Sequence, residues 1–341
     1  MTSQICLVPK LDGLGGMVSF QAKFIHGLQA RGIPYTFDLN DPHNTAVLVI
    51  GGTRQLGRLW RAKRHGTRIV QRLDGMNWLH RLTPTPLKAA LRAEVNNRIL
   101  AFIRRGLADL IVYQSKFSRD WWNRVYGSTP IPNQVSYNGV DLDTYTPEGK
   151  GDPPENSYRI LLVEGHLTGA YARGLETAVR MAAAVRERVD REVELVVVGD
   201  VSDALQEKAQ ALAPDLTIRW RGIVPREAIP AIDRSAHVLF SADLNAACPN
   251  SVIEALACGL PVVAYDTGAL AELVRDGAGE VVPYGANHWQ LEDPVIPPLA
   301  EACAKILKEN NSYRSRARQR AEAAFGLDAM VEGYLKALVA A

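Results

Sequence analysis

The chain has 341 residues, 47% of them hydrophobic and 22% charged, with a formal net charge of +2. That is enough apolar material for two ordinary cores, so two domains are expected. The four cysteines, Cys6, Cys248, Cys258 and Cys303, lack metal-ligand spacing, which excludes a cysteine metal site and a disulfide framework and favours a reducing compartment. The start, MTSQICLVPKLDG, holds too short an apolar run for a signal peptide. No stretch approaches the roughly 18 apolar residues of a membrane span, so a soluble, cytoplasmic chain is expected. The small net charge hides an asymmetry. Residues 1–150 carry 20 Lys/Arg against 10 Asp/Glu, and the remainder 19 against 27. A basic first half suits an anionic acceptor or the anionic inner face of a membrane, with a solvated basic face as the bland alternative.

In chain order, QICLVP reads as a buried strand running into LDGLGGM. Phe20, Phe24, Ile25 and Leu28 then share one helical face that ends near Gly32. Strand, glycine loop and helix suggest a dinucleotide site, with Asp38 closing the next strand, YTFDL. The fingerprint is incomplete, because Val18 stands where the third glycine belongs. AVLVIGG is a strand, followed by a basic helix with Arg54, Arg58, Arg61, Lys63 and Arg64. TRIVQRLDG is another strand and ends in Arg72, Asp74 and Gly75. Strand ends carry ligands in open parallel sheets, so Arg72 and Asp74 are site candidates, against the plain reading of Asp74 as a loop cap. A helix from about Pro86 to Arg105, the strand LADLIVYQS and the helix KFSRDWWNRVYG come next, the last placing Phe117, Trp121 and Val125 on one face. Asp141-Leu142-Asp143 sits just before a linker and is assigned no metal. The Pro/Gly-rich EGKGDPPENS, residues 148–157, marks the expected boundary.

The second half opens with YRILLVEG, the loop EGHLTGAYARG and a helix with Leu175, Val179 and Ala183 on one face. VELVVVGD is a buried strand ending in Gly199 and Asp200. The stretch DLNAACPNSVIEALACGLPVVAYDTGALAELV is the most informative. Pro249 suits a helix start, Val252, Ile253, Leu256 and Ala257 form an apolar stripe, Gly259 caps the helix and PVVAY is a buried strand. Asn250 and Glu254 lie one turn apart near the helix start. Unpaired N–H groups there suit a phosphate, and a carboxylate one turn on can accept two hydrogen bonds from a ribose diol. The competing reading is a buried βα unit whose Glu254 faces solvent.

Glu254, Ala255, Ala257, Gly259, Pro261, Val262, Gly268 and Glu272 resemble the donor-binding signature of family 4 glycosyltransferases, retaining enzymes of the GT-B fold. The family's earlier Glu would fall at Ala246 and is missing, which puts the donor-sugar contact in doubt. The resemblance implies that Glu254 holds the nucleotide ribose. It implies that Gly15 and Gly16 let acceptor and donor sugar approach, and that the Gly222-Ile223-Val224 backbone accepts the base. In the loop after Gly165, His166 takes the place of the family's Arg, and Arg173-Gly174 replaces its Lys-Gly in gripping the diphosphate. Asn138 to Asp141 resembles the family's exit from its first domain, and Phe325, Met330 and Tyr334 its closing helix.

The fold expected is α/β, two Rossmann-like doubly wound domains facing a cleft. The boundaries expected are 1–150 for an acceptor-side domain, 151–315 for a nucleotide-sugar donor domain and 316–341 for a helix packing back on the first. The function expected is metal-independent, retaining hexosyl transfer from a nucleotide-diphosphate sugar to a glycan, lipid or small-molecule acceptor. No cofactor and no nucleic acid are expected. Arg173 and Asp74 are the expected catalytic residues, with Asn250, Ser251 and Val252 at the diphosphate and Arg72 beside Asp74 on the acceptor side. A nucleotide-sugar epimerase and a catalytically degenerate nucleotide-sugar-binding module are the rivals.

Overall fold

Aliphatic runs alternating with helices make parallel strands, because each crossover helix lays its apolar stripe on one face of the sheet and both faces must be covered. In a computed structural model that describes residues 4–13, 15–167 and 172–339, the chain does this twice. It divides into two units, Met1–Gly139 with Leu327–Ala341, and Val140–Gly326.

The first unit runs β1 (Gln4–Val8), α1 (Gly16–Ala30), β2 (Tyr35–Thr36), β3 (Asn44–Ile50), α2 (Leu56–Arg64), β4 (Arg68–Leu73), α3 (Leu87–Phe102), β5 (Leu110–Tyr113), α4 (Lys116–Tyr126) and β6 (Asn133–Val135). Its strands form one parallel sheet in the order β2-β1-β3-β4-β5-β6. On one face Phe20, Phe24 and Leu28 of α1 pack on Ile5, Leu7, Leu48 and Ile50. On the other, Leu59 of α2 and Ile103 and Leu107, just past α3, pack on Val8, Val47, Val49 and Ile69.

The second unit runs β7 (Ser157–His166), α5 (Ala172–Arg186), β8 (Glu192–Asp200), α6 (Asp203–Leu212), β9 (Thr217–Trp220), α7 (Ile229–Arg234), β10 (Val238–Ser241), α8 (Asn250–Ala257), β11 (Val262–Tyr265), α9 (Leu270–Leu273), β12 (Gly279–Val282), α10 (Ile296–Lys308) and α11 (Asn310–Ala324). These strands form a second parallel sheet, β12-β11-β10-β7-β8-β9. The strand order reverses between β7 and β10. Its core joins Ile160, Leu162, Leu195, Val197 and Phe240 of the strands to Leu175, Val179, Leu299 and Ile306 of the helices.

The chain divides at 139/140 and 326/327, where the sequence suggested 150/151 and 315/316. Val140 donates its N–H to Phe325 O at 2.8 Å and pairs with Gly326, so the segment before the Pro/Gly-rich stretch stays with the second unit. α11 stays there too. Arg318 Nη1 donates to the carbonyls of Tyr145 and Ala257, each at 2.8 Å. Only the last helix, α12 (Leu327–Val339), returns to the first unit, where Met330, Val331, Tyr334 and Leu338 complete its core. The helix expected over 316–341 is thus two helices, parted at Phe325–Gly326. All four cysteines are buried, and none forms a disulfide among the described residues. Among the described residues no helix is long and apolar enough to cross a membrane.

The Tyr334 ring lies 4.9 Å from that of Phe20 and 5.8 Å from that of Phe24. Removing a buried aromatic ring costs about 3–5 kcal/mol. Tyr334→Ala should lower stability by that order in chemical denaturation and release α12 first, which amide exchange over residues 327–339 would show.

Candidate functional site

In open parallel sheets, ligands sit beyond the carboxyl ends of the strands where the strand order reverses. In the second unit that point lies between β7 and β10, and two devices shape it. The first is a bulge. Val163 pairs with Val198 and His166 with Asp200, so β7 carries one residue more than β8 across that step. Gly199 makes room for it: a Cβ there would lie 2.0 Å from the Glu164 carbonyl oxygen, and its φ is +146°. The second is Gly268, where a Cβ would lie 2.5 Å from Ala246 N and 2.6 Å from Ala246 O. The loop after β10 therefore lies directly on the loop after β11.

The bulge leaves Glu164 at the end of β7, beside Asp243, which leaves β10, its neighbouring strand. Both residues are half-buried. Burial pushes the Glu164 carboxyl up to about 8, with the nearby Asp243 charge adding to the rise, and burial raises Asp243 to about 6. Like charges this close do not both ionise readily, so the pair retains a proton near neutral pH. Around them Ser241 Oγ, Thr267 Oγ1 and both amide atoms of Asn245 are buried without hydrogen-bond partners. Asn245 adopts the left-handed conformation, with φ 59°. Neutral amides and hydroxyls so placed suit a ligand rich in hydroxyl groups.

Glu254 is buried on α8, 8% exposed, so the solvent-facing reading fails. Its Oε1 lies 3.6 Å from Arg226 Nη2. Arg226 comes just after the Gly222–Val224 loop, which Gly222 O ties to the end of β8 by accepting from Gly199 N at 2.9 Å. Two further buried groups face Glu254. The Tyr145 hydroxyl is pushed up to about 12 by burial first and Glu254 second. Asp233 on α7 is raised well above its ordinary value by the same two causes, and its Oδ2 has no partner. α8 begins at Pro249 with no side-chain cap, so the first-turn N–H groups of Ser251 and Val252 face outward from the helix end.

Sequence reasoning missed Glu164, Arg226, Tyr145 and Asp233. Of the residues it chose, Arg173 opens α5 and pairs with Asp293 at 2.8 Å, both largely exposed, a contact of the weak surface kind. Val224 is half-buried and Gly165 exposed. The His166 side chain lies outside what the structure describes. In the first unit Gly15 precedes α1 with φ 128° and Gly16 is its first residue. Arg72 is fully buried rather than facing a ligand. Its guanidinium lies 4.0 Å from the Phe20 ring centroid, and Nη2 donates to Asn138 Oδ1 at 3.1 Å. Arg72 Nε and Nη1 are buried without partners. Asp74 is half-buried; burial raises its carboxyl and Arg72 offsets this only in part.

Residues 158–309 match the sequence model of the family described as Glycosyl transferases group 1. Over this segment the chain is similar to that family. The resemblance read from Glu254 to Glu272 is thereby borne out. The chain is 25% identical over 284 residues to a D-inositol 3-phosphate glycosyltransferase of Thermobifida fusca, a match taking in 78% of this chain and 63% of that protein. The chain thus spans less than two thirds of that relative's length. In structure it is similar to sucrose-phosphate synthase (tll1590) from Thermosynechococcus elongatus, with a TM-score of 0.72 at 16% identity over 99% of this chain and 100% of that one. It is also similar to Anabaena Alr3699/HepE, solved with UDP and glucose, with a TM-score of 0.70 at 16% identity and the same coverage. At such identities the likeness shows the fold, which is GT-B.

The acid pair between β7 and β10 makes a prediction about stability. Both carboxyls bind protons more tightly folded than unfolded, so their contribution is full on the acid side and is lost as pH rises through the folded values toward about 8. The melting temperature should fall over that window in the native protein and fall less in Glu164→Gln. Parallel profiles for the two proteins would refute the assignment of a shared proton.

Proposed function

We propose that this chain is a retaining glycosyltransferase that moves a sugar from a nucleoside-diphosphate sugar to an acceptor, with the second unit binding the donor. The observation that carries this reading is the group around α8. An uncapped helix start, a buried carboxylate one turn on and an arginine leading back to the 222–224 loop match the order diphosphate, ribose, base. The solved Anabaena neighbour, which holds UDP and glucose, supports a donor of that class. Glu254 accepts from the ribose diol, Ser251 and Val252 N–H groups meet the diphosphate, and Arg173 leaves Asp293 to join them. These groups neutralise charge on the departing nucleotide, which is usually the largest catalytic contribution. No metal is needed for that step. The sugar lies toward Glu164, Asp243 and Asn245, and attack proceeds on the face the nucleotide leaves, with a phosphate oxygen taking the acceptor's proton. In the first unit Gly15 and Gly16 leave room for the acceptor and Asp74 orients it.

Glu254→Gln should weaken binding of the bare nucleotide about tenfold or more, since a hydrogen bond to a charged group contributes roughly 1.5–3 kcal/mol. Calorimetric titration checks this, and unchanged affinity in a folded variant sinks the ribose assignment. Ala246, a methyl where the family has a carboxylate, favours a second reading, a module that holds nucleotide sugars without transferring them. The two readings part on a comparison of nucleotide sugar with bare nucleotide. If the chain is an enzyme, the sugar adds affinity in the native protein, Asp243→Ala/Asn245→Ala loses most of that gain, and slow donor hydrolysis is detectable. No added affinity and no hydrolysis would leave the binding module.

A further inference from the structure

The surface of the first unit carries a feature that no step of sugar transfer uses. Along α3, Leu87 is 84% exposed, Leu91 62%, Val95 40% and Phe102 54%. Leu87, Leu91 and Val95 recur at every fourth residue, and Phe102 falls two turns beyond Val95, so they form one outward stripe. Lys88 and Arg92 flank the stripe on one side and Arg98 on the other, all exposed and none with a carboxylate partner among the described residues. The one acid on this helix, Glu94, is taken up by Arg81 at 2.7 Å and His80 at 2.8 Å. α2 covers the same face of the sheet, its Leu59 joining the core that Ile103 completes past α3. It holds no acid at all and exposes Trp60, 48% accessible, with the Arg64 guanidinium 4.8 Å from its ring.

We infer that this face docks on an anionic lipid bilayer. An apolar stripe flanked by long basic side chains lets the apolar groups enter the headgroup boundary while ammonium and guanidinium groups reach lipid phosphates. The exposed Trp60, on the other helix covering this sheet face, matches the amphipathic belt found at that depth. A nucleic acid would use the basic residues but has no place for four exposed apolar side chains in their midst. A second copy of the chain would set arginine against arginine. The docking does not depend on the sugar-transfer reading, and it favours an acceptor carried by the membrane.

The test is flotation of the whole chain with vesicles of phosphatidylcholine alone or mixed with phosphatidylglycerol, at low and raised salt. Binding is expected only to the anionic vesicles and should weaken with salt. Lys88→Gln/Arg92→Gln/Arg98→Gln should reduce it on the order of a hundredfold, given the attraction each basic side chain feels at such a surface. Leu87→Ser/Leu91→Ser/Val95→Ser should reduce it more than about tenfold at low salt as well, where charge attraction alone would persist. All six side chains are exposed, so unchanged circular dichroism and melting temperature verify the fold of both variants. The inference is overturned if the native chain ignores anionic vesicles at low salt or if the serine variant binds like the native chain. Tighter binding to duplex DNA than to vesicles, or a solution dimer that hides Trp60 from quenchers, overturns it too.

Discussion

The second unit of this protein depends on one close approach of backbone to backbone, the Glu164 carbonyl against Gly199. The extra residue in β7 needs space that any side chain at position 199 would occupy, and φ of +146° at that position admits few residues besides glycine. Because the approach is allowed, β7 ends in a bulge rather than a regular pair, and Glu164 is delivered beside Asp243. Bulges are a recurrent way of re-aiming one side chain at a strand end. The same Gly199 donates to Gly222 O, so the bulge and the loop leading to Arg226 are anchored at one residue. Two regions that a ligand would have to bridge therefore share a single fixed point.

Much of this was legible in the sequence, and the rest escaped it for a common cause. Local pattern carried the alternating strands and helices, the helix start at Pro249 and the turn at Gly259, while the family resemblance supplied the expectation that Glu254 is more than a surface acid. Glu164 was passed over because its significance lies in strand order. β7 neighbours β10, far along the chain, and nothing near YRILLVEG announces it. Asp233, Tyr145 and Arg226 reach Glu254 from three separate stretches, so each reads as an ordinary residue of its own segment. The division of the chain differs from the expected boundaries for another reason. The Pro/Gly-rich stretch looks like a linker, yet Arg234 donates to Thr146 O at 3.0 Å and to Lys150 O at 2.8 Å and binds it to the second unit.

The two sheets show how one architecture supports unlike edges. In the first unit the order reverses between β1 and β3, and β1 leads into a glycine loop and the bare start of α1. Arg72 lies under that helix against Phe20 and is closed off from solvent. A buried guanidinium with unpaired N–H groups holds positive potential beneath the loop without offering a contact. In the second unit the corresponding edge carries acids and unpaired neutral groups, while positive character comes from an uncapped helix and an exposed arginine. The first edge thus offers backbone room and the second offers hydrogen-bonding groups.

Ala246 leaves no gap in the loop after β10. The residue is 6% exposed, and its carbonyl accepts from Ala269 N at 2.8 Å, which fixes the β10 loop on the turn after β11. A larger polar side chain at 246 would have to be accommodated against that contact, with its charge taken out of water. With a methyl there, the loop closes on Gly268, Asn245 is turned into the left-handed conformation, and its amide is held inside rather than in solvent. Hydrogen-bonding capacity therefore lies one residue back along the loop, at Asn245, and at Asp243 and the β7 bulge. A carboxylate can only accept while it is ionised. An amide donates and accepts at any pH, and an acid pair that retains a proton can do both near neutrality. The loop and the bulge together thus present groups able both to donate and to accept a hydrogen bond.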